Sequence, residues 1–329
     1  MKTFLTHRLA PAARLATRLL AVSILAMPFV GGFAHAAGDA IKIERQSWTF
    51  GGLNGHFDRA QLQRGFMVYQ KVCADCHGLK RIKFRNLSQK GGPEFSEAEI
   101  QSLAATFKIQ DGPNDAGKMF QRPGKPFDAF PSPFANEQQA RASNGGAYPP
   151  DLSVIAKGRG VSTNAPVYLE PFLWLKEIVM GYQEGGPDYL YALLTGYVAV
   201  PSYAKKGDKL VKLPPGETAP GAVQCASVET VDGKDVCTPL QKGMQYNAAF
   251  PGHQIAMVAP LADKRVKYTD GTPPTLENYA RDVTAFLAWA SDPSLEHRKR
   301  LGQQVLIYLL ITALLLYLAK RRVWARVEH

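Results

Sequence analysis

Two thiols and an imidazole stand together at Val72-Cys73-Ala74-Asp75-Cys76-His77-Gly78. Cysteines two residues apart fit a zinc site or a redox dithiol. A histidine directly after the second cysteine is instead the pattern of c-type haem attachment. The two thiols can add to the two vinyl groups on one edge of a haem. The next residue then stands under the iron, where the His77 imidazole can serve as proximal ligand. The chain has four cysteines, so this motif leaves Cys225 and Cys237 as one further pair.

A haem iron takes a sixth ligand or keeps an open position for substrate. Methionine is a common soft ligand and raises the reduction potential. Met67, Met119, Met180, Met244 and Met257 are the methionines of the body, and His253 is the histidine best placed among the rest. Composition alone leaves Met257, His253 and Met244 level, and plain core packing is the ordinary role of a methionine.

Elements must bring these residues together. Asp58 can cap a helix through Leu62, Phe66, Tyr69 and Val72, delivering the motif at its C-terminal end, with Gly65 allowing close packing. Ser96 with Glu97 and Glu99 predicts a helix over 97–109. Residues 110–150 read as a long irregular excursion, with a short helix near 137–142. Asn144-Gly145-Gly146-Ala147-Tyr148-Pro149-Pro150-Asp151 follows; its adjacent prolines make a rigid wall, fit either for an ordinary loop or to lie against a haem ring. Further helices are predicted over 152–157, 171–180, 189–197 and 276–290. Glu170, Glu177, Glu184 and Asp188 give the middle of the chain an acidic bias, suited to a basic partner or simply solvated. Asp232-Gly233 between apolar flanks is a hairpin signal, and a Cys225–Cys237 disulfide would close that hairpin.

The two ends speak of a membrane. A basic segment, an apolar run from Leu19 to Phe33 and Ala34-His35-Ala36 read as an export signal over 1–36. The mature body, 37–300, would then lie in an oxidising periplasm, where spare cysteines pair. The run 301–319, between His297-Arg298-Lys299-Arg300 and Lys320-Arg321-Arg322, reads as one transmembrane helix whose basic flanks reach into headgroups. Residues 320–329 would form a short cytoplasmic tail. The formal charge is +11, and the excess sits at the two ends, so it points to a membrane surface and not to nucleic acid.

With these stretches assembled, the chain resembles the cytochrome c1 family, the haem subunit of the bacterial cytochrome bc1 complex. The carrying residues are Gly65-Phe66-Met67-Val68-Tyr69 before the CxxCH motif, then Asn144 to Ser153, and Asp188-Tyr189 through Tyr197. Phe250-Pro251-Gly252 to Met257, Asp270-Gly271-Thr272-Pro273 and His297 to Arg300 complete the set. Ala259-Pro260-Leu261 departs from the family's commoner double proline.

The resemblance implies a mainly α, class I c-type cytochrome fold with long insertions and one C-terminal transmembrane helix. It implies one covalent haem c, thioethers at Cys73 and Cys76, axial ligands His77 and Met257, and Pro149 and Pro150 beside the haem. It assigns Arg159 to a propionate and Cys225–Cys237 to a disulfide supporting the methionine side. It further implies a subunit of ubiquinol:cytochrome c oxidoreductase, itself an electron carrier, in a dimeric complex of the cytoplasmic membrane with cytochrome b. The electron would come from the Rieske iron-sulfur protein and pass to a soluble c-type cytochrome. An independent haem enzyme would need an open sixth position. A tethered carrier outside any complex would not need the insertions at 110–150 and 200–245.

Overall fold

The computed structural model describes residues 41, 43–159, 168–169, 171–172 and 185–325. The expected export signal, most of the helix at 171–180, the acids at 170, 177 and 184, and residues 326–329 lie outside the described residues.

Asp58 is extended, and its carboxylate accepts the Gln61 amide at 3.3 Å, starting α1 (Arg59–Val68) where the sequence predicts. The helix widens into a five-residue π-helical turn, Tyr69–Cys73, and ends at the CxxCH motif. Leu62, Phe66 and Val68 are buried on α1, which packs against α6 (Leu276–Ser291), capped by Thr275. At their crossing, a Cβ on Gly65 would lie 2.1 Å from the Asp282 carbonyl oxygen. The backbones therefore touch at Gly65, as expected from sequence. Around them Phe66, Tyr69, Phe84, Phe130, Phe286 and Trp289 form an aromatic core.

Helix α2 (Glu97–Ala105) has the expected start, a reciprocal Ser96–Glu99 capping box. It stops short of residue 109 because the chain turns into β1 (Lys108–Asp111), paired antiparallel with β2 (Phe120–Pro123). The excursion at 110–150 is thus ordered by a hairpin that sequence reading missed. Arg122 ties it down, bridging Asp111 and Asp128. Helices α3 (Glu137–Ser143), α4 (Ile155–Gly158) and α5 (Gly185–Thr195) follow. A Cβ on Gly186 would sit 1.7 Å from the Ala156 carbonyl oxygen, so α4 and α5 also touch backbone to backbone.

From Ser202 to Ile255 the regular elements are short strands, apart from one 3-10 turn at Pro251–His253. β3 (Ser202–Lys206) lies between β4 (Lys209–Lys212) and β5 (Val223–Gln224). β6 (Ser227–Val231) and β7 (Lys234–Thr238) form the expected hairpin, with Asp232 and Gly233 at φ 49° and 80°. β8 (Gln245–Tyr246) pairs with β9 (Gln254–Ile255). The expectation of a mainly α fold is therefore met only in the core. Seven helices and nine short strands occur among the described residues.

Helix α7 (Leu295–Trp324) is long and apolar enough to cross a membrane. It contains the run 301–319 but begins already at Leu295, just past Asp292-Pro293-Ser294, so the apolar run and the end of the body share one helix. The expected headgroup role of its basic flank changes too. Arg298 donates to Asp292, and the Lys299 amine donates to the Phe50 and Gly52 carbonyls at 2.6 and 2.5 Å. Two of the four basic residues fasten the helix to the body instead.

Candidate functional site

The cysteine-histidine motif is folded by its own backbone. The Cys76 and His77 amides both donate to the Cys73 carbonyl, at 3.1 and 2.8 Å, so the motif is a tight turn. The Tyr69 hydroxyl donates to the His77 carbonyl at 3.1 Å, tying that turn to the last residues of the lead-in helix. Cys73 and Cys76 form no disulfide, whereas Cys225 and Cys237 are bonded to each other, with Cα atoms 5.4 Å apart.

His77 is held through one ring nitrogen. Its Nδ1 lies 2.8 Å from the Pro150 carbonyl oxygen, which can only accept, so Nδ1 carries a proton. Burial pushes the His77 pKa below its ordinary value, against the opposing pull of the Pro150 hydrogen bond and Asp151. The imidazole is accordingly neutral near pH 7, with Nε2 unprotonated and available as a donor to a metal. Burial, with the neighbouring Cys76, pushes the free Cys73 thiol up to about 12, while Arg265 acts the other way.

Pro150 reaches His77 because Asp151 locks its segment to the motif. The Asp151 carboxylate accepts the Lys80 and Ser153 amides, each at 3.0 Å. The Leu152 amide donates to the Gly78 carbonyl at 2.9 Å, and Ser153 Oγ accepts the Arg81 amide at 3.0 Å. An open groove beside the motif is lined by Cys76, Lys80, Phe134, Tyr148, Pro149 and Asp151 among others. Thus Cys76, His77, Pro149 and Pro150 come together. The role of Asp151 was missed, although an Asx-type acceptor directly after two prolines is a signal for such a lock.

Met257 lies on a strap fastened at both ends. Before it, the Asn247 side chain donates to the Leu193 carbonyl at 2.8 Å and accepts the Ala249 amide at 3.0 Å. At the residue itself, the Tyr197 hydroxyl donates to the Met257 carbonyl at 3.1 Å. After it, the Val266 amide donates to the Tyr279 hydroxyl at 3.1 Å, and the Tyr268 hydroxyl donates to Asp282 at 2.8 Å. Asp282 also takes Arg64 from α1, so the strap returns to the helix that carries the motif. The rival His253 is taken up within its own turn, its ring stacked on Tyr246 and its Nδ1 3.3 Å from the Asn247 carbonyl oxygen.

Arg159 is exposed at the end of α4; burial raises the Tyr189 hydroxyl's pKa, and the nearby Arg159 opposes that shift without reversing it. Asp188 does not belong to an acidic surface. It is buried and accepts from the Trp48 indole at 2.7 Å and the Gln46 amide at 3.1 Å. The donor set suits a haem better than zinc: among the described residues no three His, Cys, Asp or Glu side chains gather to hold a bare ion.

The sequence profile of the Cytochrome C1 family matches residues 48–327. A protein of Bradyrhizobium diazoefficiens named cytochrome b/c1 is 44% identical over 315 residues, covering 95% of this chain and 40% of that protein. The chain thus spans less than half of that relative's length. Cytochrome c1 of Rhodospirillum rubrum is 40% identical over 301 residues, 91% of this chain and 94% of that one. Cytochrome c1 of Blastochloris viridis is 40% identical over 284 residues, 86% of each chain. On the match along nearly the whole chain, the protein belongs to the cytochrome c1 family.

Proposed function

We propose that the chain is the haem-carrying electron-transfer subunit of a bc1-type quinol:cytochrome c oxidoreductase. Its body, 37–300, stands on the periplasmic side of the cytoplasmic membrane with a class I c-type fold, and α7 anchors it. The observation that carries the reading is the His77 Nδ1–Pro150 hydrogen bond beside two unpaired cysteines. It leaves one neutral nitrogen donor next to two thiols, the donor set of a c-type haem. The names of the bacterial relatives support the same reading.

One covalent haem c, when bound, supplies a centre that gains and loses one electron. Cys73 and Cys76 would hold it as thioethers, and His77 and Met257 would ligate its iron. Pro150 fixes the His77 ring and, with Pro149, would border the haem, while Arg159 would meet a propionate. As an iron ligand, the Met257 thioether would favour the reduced state and raise the potential, and would leave no open position for a substrate. The electron would arrive from the Rieske protein and leave to a soluble c-type cytochrome, in a dimeric complex that includes cytochrome b.

Gentle solubilisation of the membrane tests this reading. Co-purification with cytochrome b and an iron-sulfur protein is expected, with haem staying on the chain in a denaturing gel. Isolation alone would favour a lone tethered carrier; haem lost on denaturation would refute the thioethers.

A further inference from the structure

One exposed loop of the body lies against the membrane-crossing helix. Trp48 to His56 forms a closed turn, with Gly51 N–H donating to the Trp48 carbonyl and His56 N–H to the Thr49 carbonyl, both at 3.0 Å. The turn closes tightly at Gly55, where a Cβ would lie 2.0 Å from the Gly51 carbonyl oxygen, so only glycine fits there. Lys299 grips its first half through the Phe50 and Gly52 carbonyls. Gln303 grips its tip, donating to the Leu53 carbonyl at 3.0 Å and to Asn54 Oδ1 at 2.8 Å. At that tip the Leu53 side chain is 57% exposed.

The height of this contact follows from helix geometry. The apolar run 301–319 spans about 28 Å at about 1.5 Å per residue, close to the thickness of a bilayer's hydrocarbon core. Gln303 is the third residue of that run, so the loop tip meets the helix at the boundary between headgroups and acyl chains. Gly51-Gly52-Leu53-Asn54-Gly55 suits that boundary. Four small or polar residues tolerate headgroups, and the single large apolar side chain can enter the acyl layer. Beside it, His297 and Arg300 are exposed and have no carboxylate partner among the described residues.

We infer that the loop 51–55 is a second membrane contact, an interfacial wedge whose Leu53 side chain sits in lipid beside the anchor helix. The Lys299 and Gln303 clamps then make the loop and helix one rigid footing, which fixes the height and tilt of the body above the membrane. The inference rests on reading α7 as a membrane span.

The test uses the haem-loaded full chain in phosphatidylethanolamine–phosphatidylglycerol vesicles. A nitroxide is attached at Leu53→Cys, with Leu310→Cys and Asp232→Cys as mid-span and hairpin-tip references. Collision with oxygen, which favours lipid, is compared with collision with a water-soluble nickel chelate. The wedge predicts an oxygen-to-nickel ratio at 53 several-fold above that at 232, on the side of 310. A ratio at 53 equal to that at 232, with 310 lipid-like, overturns the wedge and leaves the span intact. Water-like values at both 53 and 310 overturn the span itself. A label at 53 shielded from both reagents means protein covers the loop and also refutes the lipid assignment.

Discussion

Around His77 the chain is held by a buried apolar core; around Met257 it is held by side-chain hydrogen bonds and a disulfide. The helical core includes Leu62, Phe66, Tyr69, Tyr279, Phe286 and Trp289 and runs directly beneath the CxxCH turn. Between Leu194 and Leu261 no residue joins that core. Cys225, Ala226, Tyr246, Ala249 and Ile255 are buried separately. The strap compensates with directed bonds. Cys225–Cys237 staples the sheet of β3, β4 and β5 to the β6–β7 hairpin, and Asp235 repeats the link by accepting the Leu210 amide at 2.9 Å. A close-packed core transmits a single steric change to all its neighbours, while a bonded strap concentrates its stability in few local groups. Damage to the first region should therefore disturb the whole protein, and damage to the second should loosen only the methionine side.

The largest effect is expected at Gly65→Val. Its new side chain would meet the Asp282 backbone, which cannot yield without separating α1 from α6. A loss of about 3 kcal/mol and poor haem incorporation are predicted, read by the unfolding midpoint and by haem stain. Normal stability would mean the crossing is looser than the close approach requires. Replacing both Cys225 and Cys237 by serine should come next. Loss of closure of a loop of about a dozen residues costs roughly 2–3 kcal/mol in the chain-entropy picture. Covalent haem should remain, but the spectrum of the methionine side should broaden; loss of covalent haem would place these cysteines in the attachment chemistry.

Asn247→Ala removes both bonds of a fully buried amide and strands the Leu193 carbonyl, for about 1–3 kcal/mol. Proteolysis within 240–260 should speed up while the 59–77 region stays protected. Equal protection in both regions would erase the contrast. The smallest effect concerns the core's lower edge, where Asp292 meets Lys157 at 2.9 Å and also accepts from Arg298. Burial raises its pKa, but these two cations outweigh burial and hold it below its ordinary 3.8. Its stabilising contribution is complete above that ordinary value and lost as pH falls through the lower folded value. Acid titration of Asp292→Asn should therefore show a shallower loss of stability below pH 3.8 than the parent chain.

Short-range chemistry was legible in the sequence. Asp58, the Ser96–Glu99 box and Asp232-Gly233 each act on backbone within a few residues, and each does what its type dictates. Contacts across the chain were not legible. Lys299 reaches Phe50, and Asp188 reaches Trp48, through folds that no local pattern encodes, so one was read as a headgroup cation and the other as a surface acid. The β1–β2 hairpin was missed because its Gly112-Pro113-Asn114 turn lies in a stretch whose prolines and glycines mask any alternation. In the candidate site the motif itself was plain. The Pro150 contact to His77 depends on a segment more than seventy residues away; the residues alone left that proline pair open between an ordinary loop and a wall against a haem ring, and the resemblance favoured the second.

The central claim is that His77 and Met257, held by these two unlike regions, together close the coordination of one haem. Met257→Leu in the purified, haem-loaded chain tests it most directly, by redox titration with optical spectra. The account predicts covalent haem retained on Cys73 and Cys76, a changed spectrum and a markedly lower potential, because the soft thioether that favours the reduced state is gone. An unchanged potential and spectrum would contradict the account.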